Sequence, residues 1–198
     1  VMGAFWAGYL IFFGTTFAFG FSDMVPNREP YHVMNAVALI FILALDFLLR
    51  IPFQKTPTQE VKPYLLLPVK RNRIIDFLLI RSGLSLFNLF WLFMFVPFSF
   101  ITITKYFGIS GVLTYLIGIW LLIVANNYWY LLCRTLINER IWWILLPIAF
   151  YGGIGCLLFI PEDSPLFYFF MDLGDGYIQG NIFYFLGTIL VILSLIHI

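Results

Sequence analysis

Six long runs of apolar residues, separated by shorter stretches rich in polar residues and proline, organise the chain. The runs cover residues 3–21, 32–50, 75–99, 112–133, 141–160 and 178–198. Each is close to the ~20 residues that an apolar helix needs to cross the ~30 Å hydrocarbon layer of a bilayer. None alternates with a period of two, as the strands of a membrane barrel do. The pattern predicts an all-α fold, a polytopic membrane helix bundle with about six transmembrane helices.

Composition agrees with a membrane environment. Hydrophobic residues make up 62% of the chain and charged residues 11%, and the mean hydropathy is +0.97. Soluble domains average ~45–50% apolar and ~25% charged residues. The net charge of +1 gives no reason to expect nucleic acid as a partner. The lipid bilayer is therefore the first partner that the sequence indicates.

The runs contain no internal repeat, and we expect residues 1–192 to form a single transmembrane domain that is truncated at both ends. The first residue is Val, and no charged leader precedes the first run. The last six residues read Leu-Ser-Leu-Ile-His-Ile, which is also the translation of CTG TCT CTT ATA CAC ATC, an adaptor end common in transposon-made sequencing libraries. We therefore expect residues 193–198 to be a non-native tail.

Lys and Arg are distributed unevenly among the connections, and cytoplasmic loops are the ones that collect them. The segment 50–73 holds six bases and 134–140 holds two, while 22–31 and 100–111 hold one each. The segment 161–177 holds four acids and no base. This alternation places both ends of the fragment in the cytoplasm.

Two connections have helical signals of their own. In the basic loop, Thr56 and Gln59 fit a capping box with Pro57 in the first turn, so a short cytoplasmic helix is expected to start at Pro57 and to end before Pro63. The apolar residues 64–67 that follow need a membrane or protein surface to cover them. In the acidic loop, Ser164 can cap a helix and Pro165 suits its first position, so 166–173 is expected to form a short outer interfacial helix with Gly174 as its exit; a plain loop with aromatic anchors is the alternative.

A small set of polar side chains lies inside or beside the runs. We select as candidate intramembrane polar or gating residues Asp46, Arg50, Asp76, Arg81, Asn88, Asn126 and Asn127. The charged members are spaced so that they can pair and snorkel near the cytoplasmic ends of their helices, and a gating role is the alternative. For the asparagines, interhelical hydrogen bonds and the lining of a substrate path are both open.

Signatures of catalysis are missing from the sequence. It has no G-x-x-x-x-G-K-[S/T] phosphate loop, no H-E-x-x-H and no paired C-x-x-C, and it contains two histidines. We therefore name no catalytic, cofactor-binding or metal-binding residue and expect no cofactor.

The stretch that ends at Phe98 resembles a known protein family. It includes ALDFLLR and QEVKPYLLLPVKRNRIIDFLLIRSGLSLFNLFWLFMFVPF, in which KPYLLLP, the basic residues after it and SxFNL are the most specific parts. It resembles a bacterial family of multi-spanning proteins of unknown function, itself similar to the permease subunits of type-2 ABC exporters. The resemblance implies a non-enzymatic permease in the bacterial inner membrane, a likewise membrane-bound second copy forming a permease dimer, and an ATP-binding subunit on a separate chain.

The same resemblance implies that the cytoplasmic element between the second and third spans contacts the ATPase. The candidate coupling residues are Thr56, Gln59, Glu60, Lys62, Tyr64, Lys70, Arg71 and Arg73.

A gradient-driven carrier and a membrane-embedded enzyme are the alternatives from other classes. The first calls for broken helices or titratable groups near the midplane, and the second for convergent acid, base or metal ligands. A neighbouring gene that encodes an ATPase with a phosphate loop would favour the exporter.

The charge alternation gives a testable topology. Single cysteines placed in each connection, in a background that lacks Cys133 and Cys156, should react with a membrane-impermeant reagent from outside only at 22–31, 100–111 and 161–177. A cysteine at Gln59 should react only after the membrane is opened. Labelling of Gln59 from outside would overturn the predicted orientation.

Overall fold

The computed structural model describes residues 2–24, 28–54, 71–158 and 165–197, and over these ranges the chain consists of helices joined by short turns, with no strand. The helices are α1 (Met2–Met24), α2 (Pro30–Phe53), α3 (Arg71–Gly83), α4 (Leu86–Phe90), α5 (Leu92–Thr102), α6 (Thr104–Glu139), α7 (Leu145–Leu158), α8 (Pro165–Ile178) and α9 (Ile182–His197). A 3₁₀ turn, Ile141–Ile144, precedes α7. The all-α prediction is confirmed.

The long helix α6 is the element round which the others pack. It contacts α2, α3, α4, α5, α8 and α9. One face buries Val112, Tyr115, Ile119 and Ile123 completely, at the spacings of three and four residues that align side chains on one side of a helix. These residues join Phe95 and others from α1, α2, α5 and α8 in the main apolar core.

Helix length supports fewer membrane crossings than the apolar runs predict. Among the described residues, α2 and α6 are long and apolar enough to cross a membrane, and the number rises to four if each of two bent helix pairs counts as one span. Two further apolar stretches, 5–21 and 141–156, are shorter helices. The prediction of about six spans is therefore not supported, because an apolar run reports composition and not the length of unbroken helix.

The third apolar run, 75–99, shows how a continuous run is divided. It holds α3, α4 and α5, with a bend of 58° between 73–90 and α5. The separate break between α3 and α4 lies at Leu84 and Ser85, where the Ser85 hydroxyl accepts a hydrogen bond from the amide of Phe87 (3.3 Å) and begins α4 as an N-cap.

The acidic connection and the sixth run form the second bent pair, α8 and α9, at an angle of 111°. Helix α8 begins at Pro165 as predicted, but it continues to Ile178, so the predicted exit at Gly174 is wrong. A Cβ at Gly174 would collide with the Asn35 side chain, and this glycine therefore serves close packing of α8 on α2 and not helix termination. The chain turns instead at Gly180, whose φ of +70° favours glycine.

One further boundary differs from the predicted one. Helix α6 continues past residue 133 to Glu139, so the predicted loop 134–140 is helical except for Arg140.

The predicted coupling element lies mostly in 55–70, outside the described residues. Of the candidate coupling residues only Arg71 and Arg73 are described: Arg71 begins α3, and the Arg73 side chain is exposed.

The contact of α1 with α5 gives a matched pair of substitutions. A Cβ at Gly14 would collide with the backbone carbonyl of Met94, whereas no atom lies within 4 Å of a Cβ at Gly8 on the same helix. We expect Gly14→Ala to destabilise the protein by about 1–3 kcal/mol, because backbone cannot move aside as a side chain can. Gly8→Ala should be neutral or stabilising by up to ~1 kcal/mol. Thermal unfolding of both purified variants in one detergent measures the difference, and equal midpoints would contradict this packing.

Candidate functional site

A buried ion pair lies near the carboxyl end of α2. Asp46 and Arg50 are one helical turn apart, and the Arg50 Nε lies 2.7 Å from the Asp46 Oδ2. Both side chains are 0% exposed. Snorkelling, which the sequence suggested, does not occur here, because the bundle itself supplies the partners that two buried charges require.

Two further donors bind the carboxylate of Asp46. Its Oδ1 accepts a hydrogen bond from the Trp91 indole Nε1 at 2.8 Å, and its Oδ2 accepts a second one from the Asn126 Nδ2 at 2.8 Å. The Asn126 Oδ1 in turn accepts from the hydroxyl of Tyr151 on α7. The carboxylate therefore has three donors and a second layer that orients one of them.

The guanidinium of Arg50 is equally occupied. Besides Asp46, it donates to the side-chain oxygens of Gln54 (2.8 Å), Asn127 (2.9 Å) and Asn88 (2.8 Å). Its Cζ also lies 4.9 Å from the centre of the Phe87 ring, in cation–π contact. Arginine can bind several acceptors in this way because its guanidinium holds its N–H donors in one fixed plane, whereas lysine has one ammonium group on a flexible stem.

Asn88 has a second role that explains the break between α3 and α4. Its Nδ2 donates to the backbone carbonyls of Gly83 (2.6 Å) and Ser82 (3.1 Å), which have lost their helical partners at the end of α3. Its Oδ1 is therefore directed at Arg50. One amide both closes a helix end and binds the buried cation.

The buried polar side chains around Asp46 and Arg50, called the polar cluster below, also join the residue that precedes 55–70 to the carboxyl end of α3. Gln54 is the last described residue before this segment, and its Nε2 donates to the Ser82 Oγ of α3 at 3.0 Å and to the Asn127 Oδ1 of α6 at 2.6 Å. The Gln54 backbone carbonyl accepts from the Tyr130 hydroxyl at 3.3 Å. Helices α2, α3 and α6 are thus tied together beside the carboxyl ends of α2 and α3, next to the point where the chain leaves the described bundle after Gln54.

The cluster is closed as a chemical site. The buried side-chain atoms without a partner among the described residues all lie elsewhere: Asn35 Nδ2, Thr104 Oγ1, Trp129 Nε1 and Asp175 Oδ1. Its charges cancel, since it contains one acid and one base. Over the described ranges no group of three or more His, Cys, Asp and Glu side chains is arranged to hold a metal ion. The arrangement clamps helices and offers no free group for catalysis in this conformation.

Most of the polar residues selected from the sequence meet here. The structure brings together Asp46, Arg50, Asn88, Asn126 and Asn127. Asp76 and Arg81 are exposed on α3, and in the described part of the chain Asp76 pairs with neither Arg73 nor Arg81. The expected second ion pair is therefore not found; an exposed pair gains little over its hydration.

Sequence reasoning missed four members of the cluster, which are Gln54, Ser82, Trp91 and Tyr151. Gln54 looked like the start of a loop, and Trp91 and Tyr151 looked like ordinary aromatics of an apolar run. The one available signal was general: a buried Trp or Tyr needs a partner for its polar atom. It does not say which partner.

A second, smaller polar contact lies near the start of α2. The His32 Nε2 is 3.0 Å from the Asp175 Oδ2 of α8. One turn further on, the fully buried Asn35 accepts a hydrogen bond from the Tyr115 hydroxyl of α6 at 2.8 Å. Asn35 belongs to Met34–Ala38, a π-helical segment of α2, so polar contacts anchor this helix at both ends.

These features define a class: an all-helical protein whose two to four long apolar helices could cross a membrane, clamped by a buried, neutral polar cluster. The chain belongs to the family described as "Family of unknown function (DUF5687)", which matches residues 1–198. No curated protein and no solved structure is significantly similar to it.

The ion pair predicts an asymmetric mutational response. Arg50→Met should destabilise the protein by about 3–5 kcal/mol, because it leaves a buried carboxylate without its cation. The double variant Asp46→Asn with Arg50→Met should lose less than the sum of the single losses. As a control, Asp76→Asn with Arg81→Met on the exposed face of α3 should change stability by no more than ~0.5 kcal/mol. Denaturant unfolding of the purified proteins tests this, and an Arg50→Met variant as stable as the control would refute the clamp.

Proposed function

We propose that the chain is the permease subunit of an ABC-type exporter, which moves a substrate across the bacterial inner membrane when an ATPase on a separate chain drives it. The supporting observation is the pair of hydrogen bonds that Gln54, the residue directly before the predicted coupling element at 55–70, makes to Ser82 at the carboxyl end of α3 and to Asn127 of α6. A force applied to that element reaches α2 through Gln54 and α3 through its start at Arg71. Each of these helices is bonded to α6 at its carboxyl end, since Gln54 donates to Asn127 and Asn127 donates to Ser82.

A transporter of this kind needs an element with two discrete arrangements, and the polar cluster is suited to be one. Its side chains satisfy one another completely in the observed packing, so an intermediate displacement leaves buried charge unpaired. Such an element favours switching between states over gradual deformation. Exchange of partners at Arg50, whose four oxygen acceptors lie on α2, directly after α2, on α4 and on α6, is the change that we envisage.

The membrane arrangement that we propose has about six crossings. The crossings are α2, α6, the two bent pairs and the shorter apolar helices over 5–21 and 141–156. The predicted connections lie next to these shorter helices. Both fragment ends are then cytoplasmic. The interfacial part of α8 carries the exposed Phe169 and Tyr168, which suit an outer headgroup layer.

Energy input has to come from another polypeptide in this proposal. These 198 residues contain no phosphate-loop motif, and the described cluster presents no free group for nucleotide chemistry. A second permease copy completes the transport path, as in the permeases that the sequence resembles.

The test uses the intact chain, affinity-purified from its native membranes. We expect an ATPase with a phosphate loop to copurify, and we expect Gln59→Ala with Glu60→Ala to lower its recovery or the ATP hydrolysis of the complex while leaving insertion intact. Gln179→Ala with Asp172→Ala, a matched exposed pair at the predicted outer end, should change neither.

Two results would count against the proposal. If no such ATPase copurifies with the unaltered chain, the exporter assignment is wrong. If the ATPase copurifies and hydrolyses ATP normally with the Gln59 and Glu60 variant, the coupling element lies elsewhere.

A further inference from the structure

A cavity of about 470 Å³ lies beside the start of α2, between α1, α5 and the first turn of α6. Its lining is unusual for this chain, since Arg28, His32 and Lys105 all border it and Glu29 is the one acid among the described lining residues. Three of the few basic side chains of the protein therefore converge on one concave site, at the end of α2 opposite the polar cluster.

Two of these bases have no carboxylate partner among the described residues. Arg28 is held by its cation–π contact, with its Cζ 4.6 Å from the centre of the Phe167 ring, which orients the guanidinium without cancelling its charge. Lys105 makes no ion pair in the described part of the chain and its side chain is exposed.

The acids near the cavity do not cancel this charge. Asp175 is engaged with His32 at 3.0 Å, and Glu29 faces the hydroxyl of Tyr106. Among the described lining residues, Arg28 and Lys105 supply two positive charges against the one negative charge of Glu29, and Asp175 does not itself border the cavity. Asp23 lies on α1, but it does not border the cavity.

The backbone adds to the positive electrostatic potential of the cavity. Residues Glu29 and Pro30 border the cavity at the amino end of the 24-residue helix α2, where helix dipoles favour an anion. The Glu29 side chain makes no capping hydrogen bond to this helix end.

The remaining wall combines the apolar residues Ala18, Phe19 and Ile101 with Thr102 and Tyr106. Phe19 and Ile101 border the cavity, and Phe19 is 63% exposed. A basic recess next to an exposed apolar helix face fits a molecule with an anionic head and a hydrocarbon chain.

We propose that this cavity binds the phosphate group of an anionic lipid, with Arg28 and Lys105 contacting the phosphate and Phe19 contacting the acyl chain. This site does not depend on the ATPase partner or on the exporter assignment. Glu29 opposes binding and sets a limit on its strength.

Binding of phosphatidylglycerol and phosphatidylcholine to the detergent-purified chain, measured by native mass spectrometry, tests the proposal. We expect the unaltered chain to prefer phosphatidylglycerol. Lys105→Ala and Arg28→Ala should each weaken that binding about fivefold, since a base near an anionic headgroup contributes about 1 kcal/mol. Glu29→Gln should strengthen it, which tests the site with a variant that removes no cation–π contact. Arg73→Ala with Arg81→Ala, exposed bases of α3, is the matched control and should leave binding unchanged.

Competition with inorganic phosphate identifies the source of the anion. Displacement of phosphatidylglycerol only by other anionic lipids supports a lipid site. Equal binding of both lipids, with charge-dependent binding of inorganic phosphate alone, would overturn the lipid as occupant. Equal phosphatidylglycerol binding by the unaltered chain, the Lys105→Ala variant and the Glu29→Gln variant would overturn the site altogether.

Discussion

Burial of the Asp46–Arg50 ion pair is the constraint on which the rest of this bundle depends. Removing two charges from water is unfavourable by several kcal/mol per ion, so every remaining polar atom of the pair must find a partner nearby. The chain meets this requirement with side chains from α6, from the α3–α4 break and from Trp91 ahead of α5. The positions of these helices around α2 are therefore set by hydrogen bonds of defined direction, whereas contacts between the apolar side chains of the main core are far less directional.

Broken helices are the second consequence. A helix end exposed to hydrocarbon leaves backbone carbonyls and amides without partners, and such ends occur only where other groups replace the missing bonds. Asn88 replaces them at the end of α3, Ser85 at the start of α4, and Asn181 at the start of α9, where its Oδ1 accepts from the amide of Phe183. At the first of these breaks the same side chain binds Arg50, so the ion pair and the interrupted helix stabilise each other.

Helix α2 connects the two polar regions of the molecule. Near its carboxyl end lies the closed cluster, beside the segment that we propose as the contact for an ATPase; near its amino end lie the His32–Asp175 contact and the basic cavity. A displacement of α2 along its axis has to break directional bonds at both ends. The helix is consequently the natural route by which an event at one end affects the other, whichever ligand occupies the cavity.

The amino-acid sequence by itself determined the helical class, the apolar character, the start of α8 at Pro165 and the identity of five residues of the polar cluster. It did so because these properties follow from composition, from caps and prolines, and from the rarity of polar side chains in apolar runs. Only the tertiary structure decided that Asp46 and Arg50 are buried, that Asn88 and Gln54 serve them, and that Asp76 and Arg81 stay outside. Tertiary structure likewise decided that Gly174 packs against Asn35 instead of ending a helix. The physical reason is that burial and hydrogen-bond partnership depend on which helices meet, and helices far apart in the chain meet at positions that local spacing does not encode.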